Sequence, residues 1–412
     1  MNHTELKGGV CAPKGFRSAA ISCGIKLKAP ERLDLALIYS DFPTVGAAVY
    51  TENKVKAAPV QLSSRHLKEC EPRAIIANSG NANACTGAIG MEHAEAMAQA
   101  TADALDLQKS EVQVCSTGII GLTMPIDRIV PRIGELKEAL KAEDEDAARA
   151  IMTSDTRPKA CAIEYTDEDG KKIRIGAIAK GAGMINPNMA TMLCFITTDA
   201  DIEKHALVAA TNYAVNHSFN CISVDGDMST NDTVIVMTNG QAGNETITCE
   251  STSRTAFRDA LKHVMLNLAK KMVSDGERVT KLVEVRVSGA TTKDDAEKAA
   301  RAVSNSKLVK CSWNGNDPNW GRIIHAVGYS GANIDPDQID IFFDDLPACK
   351  NGLTSPTPIE ELAAAVEKRE FLIQINLNQG EETFTMYSAD LSPEYVVFNR
   401  EEYSLTRKRL EK

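Results

Sequence analysis

The sequence predicts an α/β protein of the α+β type, built as layered sheets covered by helices. Three observations carry that reading. Strands and helices mix along the whole chain without the strict punctuation of a doubly wound nucleotide fold. The run Met192-Leu-Cys-Phe-Ile196 is apolar at every position, as a strand buried on both faces inside stacked sheets must be. And 412 residues exceed one typical core, which points to a large unit and a smaller one.

The elements follow in order. Short apolar runs at 34–40 and 46–51 flank a turn at Pro43 and read as a hairpin. Arg73-Ala-Ile-Ile-Ala-Asn78 is a strand that ends in a loop of small polar residues, 79–87. Residues 91–105 are alanine-rich with helical spacing, and Val112–Ser116 is a strand running straight into Thr117-Gly118. Residues 133–152 read as one helix, with Lys141 spaced to pair with Glu138 and Glu145. A hairpin follows, 162–165 and 172–178, with its turn at Asp167–Gly170. Further on come a helix at 201–216, a strand at 232–238 and an amphipathic helix at 255–273 with Leu261, Val264, Leu268 and Met272 on one face. The stretch 282–287 alternates apolar and charged residues, so one sheet face is buried. The first unit is placed at 1–287 and the second at 288–412. The second carries a helix at 292–303 and strands at 308–311, 339–343 and 371–376.

Composition excludes several functions. A net charge of −10 argues against binding a phosphate backbone, so no nucleic-acid partner is expected. There is no run of 18 apolar residues and no apolar signal core near the start, which predicts a cytoplasmic protein with no membrane partner. Eleven cysteines without a CxxC pair, many in apolar surroundings, suit buried free thiols in a reducing compartment. Seven histidines without ligand spacing predict no metal.

The chemistry centres on Lys180-Gly-Ala-Gly-Met-Ile-Asn-Pro-Asn-Met-Ala-Thr191, a glycine-rich loop that turns into the buried strand. A threonine hydroxyl is a poor nucleophile until a base takes its proton. No histidine lies near Thr191 in sequence. Its own α-amino group can serve if the chain is cut between Ala190 and Thr191. A free α-amine has a pKa of about 7.7–8.0, so a usable share is neutral at pH 7. The glycines allow close approach, Asn186-Pro-Asn188 is a turn signal, and Ala190 leaves its carbonyl unshielded. The same pattern also fits a plain loop entering a core strand. An oxyanion site is the other requirement. Thr117 and Gly118 follow a strand and could supply it, or could form an ordinary β-turn. The 78–87 loop lacks the lysine of a phosphate cradle, and Asp317–Arg322 could close a site or make a rigid turn.

Taken together these stretches resemble the ornithine acetyltransferase family, the bifunctional glutamate N-acetyltransferase/amino-acid acetyltransferase of arginine biosynthesis. The matching motifs are Gly8–Gly15, Asn78–Gly87, Ser116–Gly118, Met152–Thr156, Lys180–Leu193, Ser223–Asp227 with Thr230–Thr233, Asp275–Glu277, Asp317–Arg322 and Tyr395–Asn399. The resemblance implies an α/β/β/α sandwich like that of N-terminal nucleophile enzymes, with a smaller C-terminal α/β domain. It implies self-cleavage between Ala190 and Thr191 into chains 1–190 and 191–412 that stay together as α2β2. Thr191 would be nucleophile and base, and Thr117 with Gly118 the oxyanion hole. Thr153, Lys180, Thr191, Glu277, Asn399 and Ser404 match the substrate-contacting positions. The implied reaction moves acetyl from N-acetylornithine to glutamate by a ping-pong cycle, without a cofactor, and leaves acetyl-CoA open as a second donor. The chain departs from the family pattern at Arg278-Val279, where Gly-Ala is usual, at Asn186, Ser154 and 312–316, and in the added residues 405–412. Two other functions fit the residues: an N-terminal-threonine amidohydrolase or aminopeptidase, and a binding protein that is never cleaved.

Overall fold

The structure is a computed structural model and describes residues 3–26, 31–186 and 192–410, with side chains described as far as Glu401. The chain divides into two compact units, Met1–Asn220 with Asp227–Met272, and Cys221–Gly226 with Val273–Lys412.

The first unit is built on two sheets. One contains, in order across it, β1 (His3–Leu6), β7 (Lys159–Thr166), β8 (Lys172–Lys180), β9 (Leu193–Thr198), β11 (Thr233–Thr238) and β4 (Val45–Tyr50). The other contains β2 (Phe16–Ile21), β3 (Leu35–Ser40), β5 (Ala74–Asn81) and β6 (Val112–Ile119). Side chains alternate across each strand, and one set from each sheet meets its counterpart. Ile38, Ile75 and Cys115 pack with Ile178, Phe195 and Ile235 in this inner core. The opposite set of the smaller sheet, including Leu37, Ile76 and Val114, packs against α2 (Gly87–Leu105) and α4 (Ile133–Glu138) through Met97, Ala98 and Leu136. Also in this unit are α1 (Ala58–Glu69), α3 (Ile126–Ile129) and α5 (Glu145–Ala150). Beside the larger sheet run α6 (Lys204–Asn216) and α7 (Ser253–Ser274); Lys271 of α7 donates to the Ala160 carbonyl of β7 at 2.7 Å. The layers are therefore helix, sheet, sheet, helix. β9 and β11 pair in parallel in the middle of the larger sheet and are buried along their whole length, which is why the sequence of β9 is apolar almost throughout.

The second unit has one mixed sheet: β10 (Ile222–Ser223), β17 (Glu382–Ala389), β12 (Leu282–Ala290), β16 (Glu370–Asn376), β13 (Asp340–Phe343), β14 (Leu346–Lys350) and β15 (Leu353–Thr354). Val283, Val285 and Val287 alternate inward from β12 and pack against α8 (Lys293–Asn305), α9 (Lys307–Asn314) and α10 (Trp320–Gly328) around Trp313. α11 (Ile359–Glu367) adds Leu362 and Val366 to this core, and α12 (Pro393–Leu410) ends the unit.

Three expectations are corrected. The runs at 34–40 and 46–51 are not a hairpin: β3 pairs with β2 and β5, whereas β4 pairs with β11 in the other sheet. Their connection crosses between layers, and the Thr44 hydroxyl ties it to the Pro72 carbonyl. The single helix at 133–152 is two short ones, α4 and α5. Between them Lys141 exchanges backbone hydrogen bonds with Ser18, and the Asp144 carboxylate accepts from the N–H groups of Gly9 and Cys11. Lys141 accordingly pairs with Glu143 and Asp146, not with Glu138 or Glu145. Residues 308–311 are helix, not strand, because the Ser306 hydroxyl caps α9 by accepting from the Val309 N–H.

Candidate functional site

The candidate site of the first unit lies where β6, β8, β9 and β11 come together. β6 carries Thr117 and Gly118, and β8 ends on Lys180. The chain returns at Leu193, directly opposite Lys180 in the β8–β9 ladder, so both ends of the glycine-rich loop are pinned at one place. The Lys180 ammonium donates to the Thr117 hydroxyl oxygen at 3.2 Å, and both residues are buried, at 2% exposure each. A hydroxyl that accepts from an ammonium keeps its own proton available for another acceptor. Gly118 has φ +136°, and a Cβ there would collide with the Gly80 carbonyl carbon and the Asn81 nitrogen on β5. Only glycine lets the two parallel strands approach this closely.

Asp155 organises the surroundings of Lys180. Its Oδ1 accepts from Lys159 at 2.6 Å and from the Gly181 N–H at 2.8 Å, while Oδ2 accepts from the Thr153 N–H at 3.0 Å. Thr153 and the residue after Lys180 thus hang on one carboxylate. Burial pushes that carboxyl up, but the charges of Lys180 and Lys159 and the Lys159 hydrogen bond outweigh it and hold it at about 2. Lys26 adds a third cation, with Nζ donating to the carbonyls of Leu33 and Ala150; burial pushes it down to about 8.

The turn before β11 locks the two sheets together. The Asn231 side-chain amide donates to the carbonyls of Ala82 and Ser116 at 2.7 and 2.9 Å, which fastens it to the exit of β5 and to β6 just before Thr117. Asp232, next along, is fully buried and its Oδ1 accepts from the Met192 N–H at 2.8 Å. The Met192 carbonyl in turn accepts from the Thr233 N–H at 3.0 Å. The start of β9 is therefore held on both sides.

In the second unit the Asn399 amide donates to the Glu277 carboxylate at 3.2 Å, which joins two of the expected residues. Arg278 adopts φ +58°, the left-handed region that favours glycine, and its guanidinium lies 4.9 Å from the centre of the Phe398 ring. The departure at 278 from the usual glycine thus comes with backbone strain, partly offset by a cation–π contact. Ala190 and Thr191 lie outside the described residues. Ser404 belongs to α12, and its side chain lies outside them too.

Several features resolve as structural. The 78–87 loop spends its amides on backbone carbonyls: Asn78 donates to that of Asn81 within the loop, Asn81 to those of Leu122 and Thr123, and Asn83 to that of Gly90 in α2. Asp317–Arg322 makes a rigid helix start, in which the Asn319 side chain caps α10 by accepting from the Arg322 N–H. All eleven cysteines are free; Cys115, Cys161 and Cys194 are buried, although Cys85 and Cys311 are exposed. Among the described residues no cluster of His, Cys, Asp or Glu could hold a metal ion, and no helix is long and apolar enough to cross a membrane.

The sequence reading missed Asp155, Lys159, Asn231 and Asp232 as site residues. A signal was present for Asn231 and Asp232, polar residues set just before a strand that is almost wholly apolar; Asp155 and Lys159 stand just before and at the start of a strand of mixed polarity and gave none. Placing Asp155 against Lys159 and Gly181 required the fold.

The layered α/β core thus brings a buried lysine–threonine pair to the end of its sheets, beside a glycine-rich loop, and the class of enzyme follows from comparison with known proteins. The chain belongs to the ArgJ family, acetyltransferases of arginine biosynthesis, which it matches over residues 17–404. It is 47% identical over 397 residues to the arginine biosynthesis bifunctional protein ArgJ of Symbiobacterium thermophilum, covering 96% of this chain and 98% of that one. It is 45% identical over 409 residues to the glutamate N-acetyltransferase of Methanocaldococcus jannaschii, covering 96% and 98%. Among solved structures it is similar to the ornithine acetyltransferase of Mycobacterium tuberculosis complexed with ornithine, at 38% identity and a TM-score of 0.42, covering 47% of this chain and 100% of that one.

Proposed function

We propose that the enzyme moves the acetyl group of N-acetylornithine to glutamate through an acetyl ester on Thr191. The observation that carries the reading is the Lys180–Thr117 contact beside the glycine-rich loop, in a chain of this family. The Thr191 hydroxyl first attacks the Ala190 carbonyl. The C–N bond breaks, the nitrogen takes the hydroxyl proton, and water hydrolyses the resulting ester to free both the Ala190 carboxyl and the Thr191 hydroxyl. The new amine then acts as base when that hydroxyl attacks the acetyl carbonyl of the donor. Thr117, through its available proton, and the Gly118 N–H stabilise the oxyanion, a contribution typically worth about 3–4 kcal/mol per donor. Ornithine leaves with the proton, and the glutamate amine attacks the ester to release N-acetylglutamate.

Charge supports the substrate class. Lys180, Lys159 and Lys26 gather against Asp155 and Asp34, which leaves an excess of positive charge for a substrate carboxylate. Glu277, held by Asn399, is assigned to a substrate ammonium; Thr153 and Ser404 are assigned to substrate contact. The scheme uses protein groups alone, in a cytoplasmic α2β2 assembly of the two cleaved chains. Purified protein is tested with N-acetylornithine and with acetyl-CoA, each with and without glutamate. Acetyl transfer that depends on glutamate is expected from N-acetylornithine, and acetyl-CoA turnover decides whether the enzyme is bifunctional. Release of free acetate with no acceptor would replace the transferase by a hydrolase. A denaturing gel is expected to show two chains, and one full-length band from active enzyme would remove the amine and with it the mechanism.

A further inference from the structure

The turn that leads into β12 holds a strained residue whose charge is unanswered. Arg278 adopts φ +58°, a left-handed conformation that is unfavourable for any residue with a Cβ. Its surroundings over-determine that shape. The Ser392 hydroxyl donates to the Arg278 carbonyl at 2.7 Å. Just beyond, the Asp390 carboxylate accepts from the N–H groups of Thr280 and Lys281 at 2.8 and 2.9 Å. The Val279 N–H returns to the Gly276 carbonyl at 3.2 Å. Backbone strain fixed this firmly points to a use for the side chain that bears it.

That side chain is exposed, and among the described residues its guanidinium makes no hydrogen bond and no ion pair. It leans on the Phe398 ring, 4.9 Å from the centre. Stacking engages the flat face of a guanidinium and leaves its N–H edge open to a carboxylate. Phe398 precedes Asn399, the residue that donates to Glu277. The turn and α12 thus meet through two consecutive pairs, Glu277 with Asn399 and Arg278 with Phe398, which set an anion and a cation on neighbouring residues. Two other cations of this unit are committed. Lys281 donates to the carbonyls of Val366, Glu367 and Lys368, and the buried Lys310 donates to the Ser388 hydroxyl and the Ala389 carbonyl.

The proposed reaction calls for both charges. In a ping-pong cycle donor and acceptor occupy one site in turn, each with its α-nitrogen at the reacting carbon. Their side chains therefore run the same way. That of ornithine ends in an ammonium, which Glu277 suits; that of glutamate ends in a carboxylate, which Glu277 repels. We propose that Arg278 is a specificity-determining residue for the acceptor: its guanidinium takes the side-chain carboxylate of glutamate, where Glu277 takes the ammonium of ornithine. The inference rests on the reading of Glu277 as a substrate contact in that acetyl transfer.

Steady-state kinetics test this, because in a ping-pong cycle kcat/KM for each substrate reports its own half-reaction. Arg278→Gln and Arg278→Gly are compared with wild type, with N-acetylornithine as donor and glutamate or glutamine as acceptor. In both variants kcat/KM for glutamate is expected to fall about tenfold, the usual effect of losing one charge-assisted hydrogen bond. The value for N-acetylornithine should stay within about twofold or rise. Glutamine has the same shape without the charge, so its use should not change, and the preference for glutamate over glutamine should shrink by the factor lost. Arg278→Lys keeps the charge and is expected to recover part of it. An unmoved glutamate value overturns the proposal. So does an equal loss in both half-reactions and with both acceptors, which is what a merely structural role would give. Arg278→Gly relieves the strained backbone and decides alone should Arg278→Gln not fold. Absence of glutamate-dependent transfer in the wild type would sink the underlying reading and this proposal with it; transfer with an unmoved preference for glutamate sinks only the role of Arg278.

Discussion

Asp155→Asn is the most informative single change in the first unit. It removes the charge that answers Lys159, in a pair whose side chains are 0% and 1% exposed and 2.6 Å apart. Two routes give the magnitude. Depression of the carboxyl from 3.8 to about 2 corresponds to roughly 2.5 kcal/mol. Breaking a buried ion pair on one side costs about 3–5 kcal/mol, because the remaining charge stays buried. Asparagine keeps one acceptor for the N–H of Gly181 or Thr153, which favours the lower figure. We expect a loss of ~3 kcal/mol at pH 7, or about 6–12 °C in Tm for a unit of this size. The pH dependence fixes the sign. The folded pKa lies below the unfolded one, so the stabilisation is fully present above about 3.8 and fades as pH falls through about 2. The gap between wild type and variant should therefore close in acid. Thermal unfolding of both proteins from pH 2 to pH 7, with transfer assayed at pH 7, measures it. A difference under about 0.5 kcal/mol at pH 7, or a gap that widens in acid, refutes the assignment of Asp155 as the ionised hub.

Other changes separate chemistry from packing. Thr117→Ala is expected to lower kcat by about 10²–10³-fold, the usual effect of losing one oxyanion donor, while circular dichroism shows a folded protein; unchanged kcat would remove Thr117 from the oxyanion site. Gly118→Ala brings a Cβ against the β5 backbone at φ +136°, so a stability loss of ~2 kcal/mol or more is expected in denaturant titration, whatever its effect on activity. Arg278→Gly relieves a left-handed residue and is expected to stabilise the protein by up to ~1 kcal/mol; a loss would mean that the Phe398 contact outweighs the strain.

How much of this was legible beforehand differs from element to element. The paired strands 162–165 and 172–178 were readable because a four-residue turn joins neighbours in one ladder. The apolar face of α7 was readable because helical spacing repeats locally; Leu261, Val264, Leu268 and Met272 are all fully buried. The false hairpin at Pro43 failed because apolar strands close in sequence look alike whether they share a sheet or face each other across a core. The strand reading of 308–311 failed because four residues with three apolar positions fit either period, and the Ser306 cap decided between them.

By itself, the sequence determined the layered α/β class, the glycine-rich loop leading to Thr191, and membership of a family through motifs spread over most of the chain. These are local signals, written in runs of neighbouring residues. Only the tertiary structure decided that Lys180 meets Thr117, that Asp155 gathers Lys159, Gly181 and Thr153, and that Asp232 holds Met192. The physical reason is separation: Lys180 and Thr117 lie 63 positions apart, and Met192 and Asp232 lie 40 apart. Buried polar groups find their partners through sheet pairing and layer packing, and no run of neighbouring residues encodes which strands will lie side by side.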